Sequence, residues 1–241
     1  MRQWYGSNMY TLHPITMADV TAFLQSAQGP GDAANLAWLE TVGDKGMQRV
    51  LSNLALYLAQ RYPTFYFEDV SLTFWEASIE RGLGMLLRPP SRLLTDGGMD
   101  RLVAARFPIR LDQYGGPMGG AYIPASLVPQ AVELLESKHV RQVHRLHDAG
   151  LDPVANLGSM IVALRTAAEL GTGVFEAARI ALPPNAQNVT VAAREGLPED
   201  LRHMLELAAK PAKTPGLISR LTHRRKSGSS ADAAMEKWLA E

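Results

Sequence analysis

The sequence predicts an α+β fold, predominantly α-helical, with a few short strands. Three observations carry that reading. Apolar residues recur every three or four positions through most of the chain, as along the buried stripe of a helix. Two segments, 3–12 and 64–75, instead concentrate aromatic and β-compatible residues. Glycine and proline clusters cut the pattern into short pieces. With 241 residues and a hydrophobic fraction of 46%, the chain can bury a sizeable core without staples.

Residues 3–12 read as a strand, which His13-Pro14 interrupts. Thr16 matches an N-cap with Asp19 three positions on, a variant of the capping box, and the helix it opens buries Val20, Phe23 and Leu24. Gly29-Pro30-Gly31 ends that element. Asp32 caps a second helix carrying Leu36, Trp38 and Leu39, which stops near Gly43. Over 44–62 a third helix keeps Met47, Val50, Leu51, Leu54 and Leu58 on one face until Pro63.

The next stretch supports two readings. Phe65 and Phe67, then Val70, Leu72 and Phe74, alternate as in strands, while Phe74, Ile79 and Leu83 line a helix equally well. A helix is placed over 69–87, with Pro89-Pro90 as a stop. Residues 99–105 read as a short helix and 107–111 as a strand. The segment 114–122, YGGPMGGAY, is a loop.

Helical spacing dominates afterwards. Helices are expected over 124–135, from near Ser137 to Gly150, over 153–170 with Gly171 as the stop, over 174–182 before Pro183-Pro184, and over 199–209. A short turn or strand is expected over 189–193. Residues 1–209 are therefore read as the core domain. Composition changes at Lys210: residues 210–230 form a basic linker containing Pro, Gly and Ser, and 231–241 a short amphipathic helix.

Bulk properties narrow the function. There are no cysteines, which excludes a disulfide scaffold, thiolate metal sites and a cysteine nucleophile. Formal net charge is zero, so no global field draws the chain to nucleic acid or an anionic membrane. No signal peptide or membrane span is read, the longest mainly apolar runs being 54–58 and 160–164. A soluble cytoplasmic protein is expected.

No catalytic, cofactor-binding or metal-ligating set emerges. His144 and His147 share a helical face with Asp148 and Asp152 nearby, the spacing of a metal pair, but the face carries Val140 and Val143 and no patterned third ligand. Lys138, Arg141 and Arg145 on the opposite face read as solvated charges. The glycine loop 114–120 lacks the Lys-Ser/Thr ending of a P-loop, and Pro117 removes a donor. Gly158-Ser159-Met160 is superficially like part of a nucleophile elbow, but the full G-x-S-x-G is absent. Glu68-Asp69 and Glu76/Glu80 are paired carboxylates of a kind routine on surfaces.

The tail carries the candidate partner-binding residues. Arg220, His223, Arg224, Arg225 and Lys226 form a basic block beside the apolar Leu217, Ile218 and Leu221, a composition that meets nucleic acid, acidic protein or anionic lipid. In the last eleven residues Ala234, Met235, Trp238 and Leu239 make one apolar stripe against Asp232, Glu236 and Lys237. A helix this short needs Trp238 docked, on the chain's own core or in a partner's groove.

One resemblance bears on these residues. The stretch 114–137, with Tyr122, Ile123, Val128, Ala131, Leu134 and Leu135 in a loop–tyrosine–extended–helix order, resembles the middle of the YfbM-like family of small bacterial proteins. The resemblance implies an α+β fold, no established enzymatic activity, and relatives of immunity type; it carries over no functional residue. The leading expectation is a non-enzymatic bacterial interaction protein of immunity or adaptor type, without cofactor, binding a protein partner. Trp4, Tyr5 and Tyr10 become anchors if their strand lies at an edge. A nucleic-acid-associated protein acting through 210–226 comes second, and an enzyme with a site assembled from scattered residues third.

Overall fold

The computed structural model describes residues 9–27, 44–68, 70–107, 120–178 and 189–210. It is α+β and mainly helical, with a sheet of short strands in the order β3-β4-β1-β2-β5. β1 is Met9–Ile15, β2 Thr64–Glu68, β3 Tyr122–Ile123, β4 Gly173–Ala178 and β5 Val189–Val191. All pairings are antiparallel except β2 with β5, which is parallel.

Side chains alternate across the strands and feed two cores. On one face Leu12, Phe65, Phe67, Ile123 and Val174 join the segment 70–87 and the helices of the second half of the chain: α6 (Val128–Ser137), α7 (His139–Asp148), α8 (Pro153–Glu169) and α9 (Glu199–Ala209). On the other face Ile15, Tyr122, Phe175 and Ala177 pack with α1 (Met17–Ala27), α2 (Asp44–Ala59), α4 (Pro90–Asp96) and α5 (Arg101–Ala104). Burying both faces of a sheet under helices gives three layers around two hydrophobic interfaces.

Local chemistry explains where several elements begin and end. Asp19 N–H donates to Thr16 Oγ1 at 3.1 Å and Thr16 N–H to Asp19 Oδ2 at 3.0 Å, the reciprocal capping box at the start of α1. Val20, Phe23 and Leu24 are buried as expected. α7 and α8 are separated by Gly150, and α8 ends before Gly171, whose φ of 65° suits a residue without Cβ.

Four expectations need correction. The strand β1 runs through His13-Pro14 to Ile15; its pairing with β2 ends at Leu12, so Pro14 lacks a donor where that ladder has stopped. The helix placed over 69–87 is instead α3 (Leu72–Phe74), a π turn (Trp75–Ile79), an extended Glu80 and a 3₁₀ turn (Arg81–Met85). Pro90 stops nothing: it occupies the first turn of α4, where its missing N–H has no helical partner to lose. The helix read over 174–182 begins as β4, all six of whose residues are buried between β3 and β1; a strand covered on both faces shows no alternation to distinguish it from a helix. The expected helix over 32–43, the end of the strand over 107–111, the glycines before Gly120 and the residues after Lys210 lie outside the described residues. Among those described, no helix is long and apolar enough to cross a membrane.

Candidate functional site

A concavity lies where the parallel strands β2 and β5 end and α8 begins. It has a volume of about 420 Å³ and is lined by Tyr66 and Glu68 of β2, Val191 of β5, the following loop to Glu195, and the turn into α8 with Asp152 and Asn156.

Asp152 organises its floor. As the N-cap of α8 it accepts from Val154 N–H at 3.0 Å and Ala155 N–H at 3.1 Å, satisfying two of the four donors a helix start leaves open. Arg194 grips the same carboxylate as a fork, Nε to Oδ2 at 2.8 Å and Nη2 to Oδ1 at 3.1 Å. Burial alone pushes the Asp152 carboxyl up; Arg194 and the two amides outweigh it and hold the group below its ordinary value. Asn156, nearly buried, donates to the Asp152 carbonyl at 2.9 Å. The helix start is thus closed by its own cap, and Arg194 by that cap's charge.

One wall of this concavity is a sheet edge. Among the described residues, β5 pairs only with β2. Ala192 N–H donates to the Tyr66 carbonyl at 2.8 Å, and backbone groups alternate sides along a strand, so Val189 and Val191 turn their N–H and C=O groups away from β2. Among the described residues these groups have no partner. The two residues are 37% and 52% exposed. Beyond Val191, opposite Tyr66, strand β2 stays paired with β1 and runs on to the exposed Glu68.

The ionisable groups with the largest shifts are inside the cores. His13 is wholly buried, its Nε2 2.9 Å from Thr11 Oγ1 and its Nδ1 3.3 Å from Thr64 Oγ1; burial lowers its pKa to about 3. Glu176, on the opposite face of the sheet, is raised to about 7 by burial, with the Leu72 and Ala121 amides pulling it partly back. Glu80 is buried too. Burial raises its carboxyl, but the Gly82 amide, Arg141 and Lys138 outweigh that and hold it down.

The residues singled out from sequence do not converge. His144 and His147 are exposed on α7, as is Val140, and only Val143 of that set reaches the core. Among the described residues no group of three His, Cys, Asp or Glu side chains is placed to hold a metal. Lys138 and Arg141 are not merely solvated charges: both pair with Glu80, while Arg145 donates to the Ile79 carbonyl at 2.7 Å. Ser159 is buried within α8. Arg220, Arg224, Arg225, Lys226, Trp238, Leu239, Trp4 and Tyr5 lie outside the described residues. What sequence reading missed is the pairing of Asp152 with Arg194, although Asp152-Pro153 is itself a helix-start signal.

The chain matches no protein family, no curated protein and no solved structure.

Proposed function

We propose that this chain is a non-enzymatic bacterial protein-interaction protein, of adaptor or immunity type, which acts in the cytoplasm by taking a partner segment along β5. The observation that carries the reading is the outer edge of β5, where the outward backbone groups of Val189 and Val191 have no partner among the described residues and both residues are exposed. Edge strands left open in this way accept an added strand: main-chain hydrogen bonds supply affinity and alternate side chains supply selectivity. The resemblance of residues 114–137 to the YfbM-like family supports the same class of function.

Selection of displayed peptides tests the reading. Peptides that bind the full chain should lose at least tenfold in affinity for Val191→Pro. That substitution removes an outward N–H and leaves the β2 ladder intact, because proline is tolerated where a strand's N–H faces solvent. Selected peptides that bind the variant as tightly as the wild type would overturn strand addition at this edge.

A second reading rests on the basic block Arg220, Arg224, Arg225 and Lys226, which suits nucleic acid. Affinity for duplex DNA that falls with salt and disappears in a chain of residues 1–209 supports it; affinity that persists in the shortened chain overturns it.

A further inference from the structure

The segment that β5 accepts has a definite chemistry. We infer that it is an extended, basic segment of a partner protein, with apolar β-branched residues over Val189 and Val191 and a lysine or arginine reaching the acidic end of the concavity. This inference rests on the strand-addition reading above and adds the partner's charge and residue pattern to it.

The charge argument begins with Arg194. It is the cation among the residues lining the concavity, and its fork to Asp152 already occupies it. Glu195 and Glu206 lie close enough to Arg194 to raise its pKa after the dominant Asp152 hydrogen bond. Glu68 stands at the other side, exposed, past the end of β5. Among the described residues neither Glu68 nor Glu195 has an ion-pair partner. Asp152 is neutralised by Arg194, so the uncompensated charge at this end is negative. The acidic side chains continue along the exposed face of α9, where Glu199, Asp200 and Glu206 outnumber Arg202. A cation arriving here gains Coulomb energy, and an incoming carboxylate meets like charge.

The pattern argument comes from register. Val189 and Val191 face the same side as Thr64 and Tyr66, so an added strand places every second side chain over the valines. One further step of about 7 Å along that strand carries the next same-face side chain past Val191, level with Glu68, where β5 has ended. The segment therefore reads apolar, any, apolar, any, basic, or the reverse order if it runs antiparallel. Its short length keeps the interaction modest, since few ladder hydrogen bonds form and each contributes little net stability.

The test uses the full chain and synthetic peptides of alternating valine and threonine that end in lysine-arginine, in glutamine-serine or in glutamate-aspartate, with fluorescence anisotropy as the readout. The basic peptide should bind, weaken as salt rises, and lose about tenfold on Glu68→Lys with Glu195→Lys. The acidic peptide should not bind. Both the neutral and basic peptides should lose binding to Val191→Pro, and N-methylation of alternate peptide amides should reproduce that loss without altering the protein. If all three peptides bind equally and all are lost on N-methylation, the basic-segment inference is overturned while strand addition stands. If N-methylation has no effect, both fall. If unlabelled protein displaces the basic peptide at matching concentration, the occupant is a second copy of this chain, and the partner inference fails.

Discussion

Two buried side chains on adjacent strands titrate in opposite senses. Glu176 has a folded pKa raised from 4.5 to about 7. Its contribution is present below pH 4.5 and is lost as pH rises through 7, because the folded state then holds a proton that the unfolded chain releases. His13 has a folded pKa lowered from 6.5 to about 3. Its contribution is present above pH 6.5 and is lost as pH falls towards 3. Each group acting alone tilts stability by about 1.4 kcal/mol per pH unit. Between pH 4.5 and 6.5 the two slopes oppose each other, so the pair leaves wild-type stability nearly level there. Urea midpoints across that window should rise with pH in Glu176→Gln and fall with pH in His13→Gln. Parallel profiles in the two variants would show that these groups do not control the slope. Residues acting on neighbouring backbone are legible in sequence, as Thr16 and Asp19 show. The partners of Glu80 are not: Lys138 and Arg141 lie 58 and 61 positions away, and only the fold brings them together.

Elements were legible where one face is wet. α7 and α9 carry a buried stripe against charged residues, and 3.6-residue periodicity finds them. β4 is buried on every side and the segment 72–87 changes helix type twice, so neither has a period to detect. Gly82 and Gly84 weaken any continuous helix there. The start of α8 separates two contributions of Asp152. Asn caps a helix about as well as Asp, so Asp152→Asn keeps the cap and loses the ion pair with Arg194, a half-exposed pair expected to contribute up to about 1 kcal/mol. Asp152→Ala loses both and should cost about 1–2 kcal/mol. Chemical denaturation of the two variants gives the order; equal losses would mean that the cap contributes nothing and that Arg194 alone holds this corner.

At the scale of the whole molecule, the concavity shows why the candidate site stayed hidden. Its walls come from Glu68, Asp152, Val191 and Arg194, residues scattered over more than half the chain; the sequence reading touched Glu68, Asp152 and 189–193 separately and brought none of them together. The core boundary is a different matter, because composition marks it directly. Residues 210–230 hold seven Lys, Arg or His and no acid, a break in composition from the residues before them. Residues 1–209 form one compact unit, and within it Leu201 and Leu205 of α9 bury against the second-half helices. A chain ending at residue 209 therefore keeps every described residue of both cores and should unfold in one cooperative transition. Its melting temperature should fall within a few degrees of the full chain's, since both described cores lie within residues 1–209. Calorimetry of the two chains checks this. A broad, non-cooperative melt for residues 1–209 would show that residues 210–241 supply part of the packed core, and the boundary at Lys210 would have to move.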